Sequence, residues 1–180
     1  LEMYLHEEQT AQLLAQLENG KLDCAILAKV KETEAFIELP LYDEDMLLAV
    51  YKEHRLSDHN LVAMKELSGE RLLMLEDGHC LRDQAMGFCF QAGADEDTHF
   101  RATSLETLRN MVSAGSGITL LPKLAVPHVR ERDGVCYIPC HLPEPKRTIA
   151  LVYRPGSPLR ARYEKLAETI RQHMTTILAN

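Results

Sequence analysis

No apolar run in this chain of 180 residues approaches the about 20 needed for a membrane-spanning helix. No charged-then-apolar stretch of signal-peptide type opens it either. Neither membrane insertion nor secretion is indicated. A basic surplus is also missing: 20 Lys and Arg against 27 Asp and Glu give a net charge of −7. A nucleic-acid backbone is gripped by clustered cations that displace its counterions, so any DNA binding must come from outside this segment. No C-x-x-C pair occurs and the eight histidines are scattered, so neither a metal nor another cofactor is expected. Repeats and low-complexity tracts are absent. The five cysteines are an odd number, dispersed through a chain large enough to fold without bridges. Free thiols in a reducing, cytoplasmic compartment are the expectation.

What is present is an ordinary globular composition, 46% hydrophobic and 26% charged. A chain this long buries roughly 70% of its extended surface. Strand and helix patterns alternate along it. Met3–His6 reads as a short strand, and Gln9–Asn19 as a helix on Leu13, Leu14 and Leu17 that Gly20 ends. Lys21–Ala28 reads as a buried strand. Residues 36–52 read as two apolar strands separated by an acidic turn, Asp43-Glu44-Asp45. A short helix near Leu61–Leu67, a strand at Arg71–Leu75 and a helix over 81–92 follow. Next come a strand at His99–Ala102 and a helix through Ala114 behind a capping box, Thr103-Ser104-Leu105-Glu106. Strands are expected at Ile118–Leu121, Val135–Pro139 and Thr148–Tyr153, then a long last helix behind Ser157-Pro158. Alternating βα units predict an α/β architecture with a largely parallel sheet.

The densest chemistry lies in Gly78-His79-Cys80-Leu81-Arg82-Asp83-Gln84-Ala85-Met86-Gly87-Phe88-Cys89. Cys80 stands where a helix begins, and backbone N–H dipoles at such an end favour a thiolate. His79 and Arg82 can add positive charge. A buried, inert thiol is the commoner fate of a lone cysteine, but Cys89 alters the balance, because a sulfenic acid needs a second thiol to condense with. On a helix, nine residues at about 1.5 Å each separate the two backbones by about 13 Å. A disulfide wants Cα atoms within roughly 7 Å. The pair therefore closes only if the segment unwinds. Gly87 weakens the intervening helix by about 1 kcal/mol relative to Ala, and Phe88 and Phe90 are the apolar anchors to be repacked. A Cys80–His79 nucleophile dyad is disfavoured, because adjacent residues rarely face one another. Cys24, Cys136 and Cys140 read as structural. Lys146-Arg147 is by default a solvated strand end, and Thr10 part of a helix N-terminal cap region.

Two longer runs carry a family resemblance. Leu13-Leu14-Ala15-Gln16-Leu17-Glu18-Asn19-Gly20-Lys21-Leu22-Asp23-Cys24-Ala25-Ile26 resembles the helix–Gly–strand run of the effector-binding domains of LysR-type transcription regulators. Val112-Ser113-Ala114-Gly115-Ser116-Gly117-Ile118-Thr119-Leu120-Leu121-Pro122 is similar to that family's second conserved segment. The Cys80–Cys89 stretch is similar to the peroxide-sensing members of the family. The resemblance implies two Rossmann-like lobes like those of periplasmic binding proteins. Lobe I would take residues 1–46 plus 147–180 and lobe II residues 47–146, with the redox segment at 78–92. It implies a peroxide-reacting thiol at Cys80 and a resolving thiol at Cys89, with Thr10, His79 and Arg147 around the peroxide. It also implies homodimers and homotetramers, RNA polymerase as a partner, and resetting by a glutaredoxin- or thioredoxin-type reductant. DNA would be held through an N-terminal winged helix-turn-helix, which these 180 residues do not contain, just as they lack the first strand–helix of lobe I. The expected function is thus a redox-sensing regulatory domain of a peroxide-responsive transcription activator, not an enzyme. Two rivals stand beside it: a two-cysteine thiol peroxidase, and a LysR-type domain sensing a small metabolite.

Overall fold

A computed structural model describes residues 3–77, 80–91, 93–126, 131–141 and 144–178, with Phe90, Gln91, Thr98, His99 and Phe100 described by backbone alone. In chain order the elements are α1 (Thr10–Glu18), β1 (Cys24–Ala28), β2 (Ile37–Tyr51), β3 (Val62–Ala63), β4 (Arg71–Leu75), α2 (Cys80–Gln91) and β5 (Asp95–Ala102). Then follow α3 (Leu105–Ser113), β6 (Thr119–Pro122), β7 (Glu131–Arg132), β8 (Val135–His141), β9 (Lys146–Tyr153) and α4 (Arg160–Leu178). The chain divides into two compact units, residues 1–43 with 148–180, and residues 44–147.

In the first unit β1 pairs antiparallel with β9, from Cys24 opposite Tyr153 to Ala28 opposite Ile149. Leu14 and Leu17 of α1 pack with Ala25, Leu27, Ala150 and Val152. The end of α1 is set by Gly20, whose φ of +73° costs a side-chain-free residue nothing. Gly20 N–H donates to Leu17 O at 3.1 Å and Lys21 N–H to Gln16 O at 2.9 Å, the two bonds of a Schellman turn. Arg154 caps the same region, donating to the carbonyl of Leu22 at 2.7 Å and to that of Leu17. The expected strand at Met3–His6 does not form. These residues have no regular structure, and Met3, Tyr4 and Leu5 are exposed; apolar alternation alone makes no strand without a neighbour to bond.

The second unit holds the larger core. The second half of β2 pairs antiparallel with β6 on one side and β8 on the other. β8 also pairs with β7 and, in parallel, with β3. β4 and β5 form a separate parallel pair, joined to the chain before β6 by a bridge from Leu72 to Ile118. The expectation of a largely parallel sheet is therefore corrected: among the described pairings most are antiparallel. One cause is a hairpin at Asp133-Gly134, where φ values of +54° and +78° give the tight turn that joins β7 to β8. The other is β2, read from sequence as two strands around an acidic turn but in fact one strand of 15 residues. Asp43 and Asp45 face outward while Glu44 faces inward, so the acidic triplet obeys the period of a strand.

Gly117 brings β4 and the approach to β6 together. A Cβ there would stand 2.6 Å from the carbonyl oxygen of Arg71 and 3.0 Å from Leu73. Ile118 N–H accordingly donates to Arg71 O at 2.9 Å and Leu73 N–H to Ile118 O at 2.8 Å. The helix α3 is capped one residue later than the sequence suggested. Ser104, not Thr103, accepts from the backbone N–H of Thr107 at 3.2 Å. Ser157 accepts from Leu159 N–H at 3.3 Å, as expected of an N-cap, although regular α4 begins at Arg160.

Candidate functional site

Cys80 is the first residue of α2 and half-buried; Cys89, in the last turn, is 1% exposed. The buried side of the helix is the stripe Leu81, Ala85 and Cys89, spaced by four, which packs on the core of the second unit with Met86 and Phe88 at its margin. Both thiols are unbonded, as are Cys24, Cys136 and Cys140. On a continuous helix their backbones stand about 13 Å apart, beyond disulfide reach. Burial pushes the Cys89 thiol up to about 12, with Cys140 nearby adding to the shift. Burial likewise pushes Cys140 up to about 11. At neutral pH both are protonated. Cys24 is raised in the same direction by burial and by Asp23.

Arg82 is not the neighbour of Cys80 that the sequence suggested. Two residues apart on a helix, the side chains do not face each other. Arg82 is 7% exposed and runs into the unit, to Glu96 at 2.8 Å and Asp77 at 3.3 Å. Arg101 joins the same cluster at Asp77, 2.5 Å away. These contacts tie the first turn of α2 to the loop before it and to β5. His79, the expected peroxide neighbour, lies outside the described residues, as does the segment's first residue, Gly78.

Thr10 is the first helical residue of α1 and half-buried; the cap position itself falls to Gln9, which makes no side-chain cap bond. It belongs to the first unit, whereas Cys80, Cys89 and Arg147 belong to the second. The basic pair at the start of β9 splits as strand alternation requires. Lys146 stays at the surface with Glu144 at 2.7 Å and Asp45 at 3.6 Å. Arg147 turns inward and binds Glu44 through Nε at 2.7 Å and Nη2 at 2.6 Å. Among the described residues none donates a hydrogen bond to the sulfur of Cys80. Sequence reasoning missed Glu44 because it took the acidic triplet for a turn. The available signal was phase: Glu44 alternates with Met46, Leu48 and Val50, all within 1% exposure. Among the described residues, no group of three or more His, Cys, Asp or Glu is placed to hold a metal ion.

The family described as LysR substrate binding domain matches residues 1–175. The chain belongs to this family. Within it, the chain is 79% identical over 174 residues to the hydrogen peroxide-inducible genes activator of Pectobacterium carotovorum subsp. carotovorum. It is 76% identical over 174 residues to the DNA-binding transcriptional dual regulator OxyR of Escherichia coli K12. Each match takes in 97% of this chain but only 58% and 57% of the relative, so the chain spans less than two thirds of these transcriptional regulators. The crystal structure of the oxidized form of OxyR superposes with a TM-score of 0.89 at 74% identity, covering 97% of this chain and 82% of that one. The reduced form gives the same TM-score at 70% identity, with 96% and 81% covered. The LysR substrate binding domain and its periplasmic-binding-protein-like fold, with mixed sheets, are thus the fold of this chain.

Proposed function

We propose that this chain is the redox-sensing regulatory domain of a hydrogen-peroxide-responsive, DNA-binding transcription activator, switched by a reversible Cys80–Cys89 disulfide. The observation that carries the reading is the asymmetry of the two thiols on α2. One sits half-buried at the helix start, where peroxide can reach it; the other is buried, protonated and out of bonding range. The similarity to OxyR in both its oxidized and reduced forms supports the same reading.

In the first step the Cys80 sulfur attacks one oxygen of hydrogen peroxide. The O–O bond breaks, sulfur is oxidised to the sulfenic acid, and the second oxygen leaves as hydroxide and takes up a proton to become water. Arg147 and His79 polarise the leaving oxygen, and Thr10 hydrogen-bonds the peroxide. In the second step Cys89 gives up its proton and attacks the Cys80 sulfur, expelling water and forming the disulfide. That step requires α2 to unwind, because the helix holds the sulfurs apart. A glutaredoxin- or thioredoxin-type dithiol then reduces the bond by exchange and restores both thiols. The two units act as regulatory lobes I and II, and the rearranged segment 78–92 alters subunit packing in a homodimer or homotetramer. DNA is held by a winged helix-turn-helix domain outside these residues, with RNA polymerase as the downstream partner, in the cytoplasm. No cofactor takes part, and the chain is a sensor rather than a turnover enzyme.

The test is non-reducing peptide mapping after a brief pulse of hydrogen peroxide. A Cys80–Cys89 cross-linked peptide is expected, formed once per chain. Single-thiol products at Cys80 with Cys89 still open to alkylation overturn the switch. Continued consumption of peroxide with a thioredoxin-type reductant, at enzyme-like turnover, favours the peroxidase reading instead.

A further inference from the structure

Glu44 is 1% exposed, and both of its carboxylate oxygens are committed. Oε2 accepts from Arg147 Nε at 2.7 Å and forms an ion pair with Nη2 at 2.6 Å, and Oε1 accepts from the backbone N–H of Leu124 at 3.0 Å. A carboxylate this deep is held only by partners that replace its lost hydration. The Leu124 bond fixes the carboxylate to the turn after β6, and β2 fixes its backbone. The carboxylate is therefore a rigid anchor, and a guanidinium gripped along one edge has its plane and direction set by it. The gripped edge is Nε and Nη2. Nη1, with both of its N–H donors, lies away from it, and among the described residues it has no partner. The arginine side chain is 18% exposed although its partner carboxylate is 1% exposed, so the arginine stays within reach of a small solute.

We infer that Glu44 is the positioning residue for Arg147: it does not touch peroxide but aims the guanidinium that does. This rests on the proposed role of Arg147 in the peroxide reaction. A pair serving only to tie β2 to β9 needs no free donors on the arginine and makes no difference to one reaction over another. Lys146, the adjacent cation on the outer face of β9 with only surface carboxylates around it, is the built-in control.

The test uses the intact chain and four variants: Arg147→Ala, Glu44→Gln, the double variant, and Lys146→Ala. Two rates are measured at Cys80, oxidation by hydrogen peroxide and alkylation by iodoacetamide, with a denaturant midpoint for each protein. The peroxide-to-iodoacetamide ratio is expected to fall about 10-fold or more in Arg147→Ala, the order that misplacing a reacting group costs. Glu44→Gln should give a fall of similar size, the double variant no further fall, and Lys146→Ala no change. If Arg147→Ala lowers the ratio but Glu44→Gln leaves it within about twofold, Glu44 is not a positioning residue and the role of Arg147 stands. The same conclusion follows if Glu44→Gln lowers it by an undiminished factor in the Arg147→Ala background. If Arg147→Ala itself leaves the ratio unchanged, both the role of Arg147 and the inference drawn from it are overturned. Should Glu44→Gln fail to fold, Glu44→Asp carries the test: it keeps the charge but withdraws the carboxylate by one methylene, and must lower the ratio only while Arg147 is present.

Discussion

Gly87→Ala separates a helix that must unwind from one that merely carries two cysteines. Gly87 lies inside α2 with a helical backbone, and a Cβ built there meets nothing within 4 Å. The substitution therefore adds no clash to the unbonded form, and stabilises that helix by about 1 kcal/mol through propensity alone. If the disulfide form has no helix at this position, it gains nothing. The equilibrium between dithiol and disulfide then moves toward dithiol by roughly fivefold. For a two-electron couple about 1.4 kcal/mol corresponds to 30 mV, so the midpoint potential rises by about 20 mV, to a less negative value. The sign is fixed, because stabilising the reduced partner always makes the disulfide the stronger oxidant. The assay equilibrates wild type and variant in graded glutathione buffers, quenches with acid, and counts the free Cys80 and Cys89 thiols. A potential unchanged within about 5 mV, or shifted negative, refutes the unwinding argument, since it means the helix around residue 87 is the same in both states.

Two further outcomes concern the body of the second unit. The Cys89 and Cys140 thiols, pushed up to about 12 and about 11 by burial, remain protonated in the folded state while an unfolded thiol ionises near about 8.5. Between those values the unfolded state binds fewer protons, so stability is full below about pH 8.5 and falls as pH rises toward 11–12. At pH 10 the loss is about 2 kcal/mol for each thiol. Urea melts of the reduced chain from pH 7 to 10 should show this fall, and Cys89→Ala with Cys140→Ala should flatten it. Gly117→Ala forces a methyl against the carbonyl of Arg71 and should lower stability by about 1–3 kcal/mol in the same melts; a neutral effect means that β4 and the chain before β6 can move apart.

The parts of this molecule that the sequence displays are those whose causes are local. Gly20 ends α1 because one residue must take a positive φ, and Ser157-Pro158 opens α4 because a hydroxyl caps orphan N–H groups. The Cys80–Cys89 spacing belongs to the same class: nine residues set the separation wherever the helix lies. Strand direction does not. β2 and β8 are antiparallel through contacts 84 to 92 positions apart, from Tyr51–Val135 to Leu47–Pro139, and nothing in either strand's alternation states which way its neighbour runs. Glu44 and Arg147 are 103 positions apart, and nothing in the sequence around either one points to the other.

The placement of Cys89 ties these two classes together. Its stripe-mates Leu81 and Ala85 share its burial in one core cluster, so unwinding α2 to free Cys89 also disturbs the packing of that stripe. That coupling makes an all-or-none change of packing the natural response, because a close-packed core accepts a second arrangement more readily than a graded deformation. It also assigns the order of events. In the proposed switch a buried, protonated Cys89 does not meet peroxide first, so oxidation begins at the half-exposed Cys80, and the new bond traps the stripe once unwinding has released it. Accelerated alkylation of Cys89 before Cys80 has been oxidised, during a peroxide pulse followed by rapid quenching, contradicts that order and with it the role of burial in the switch.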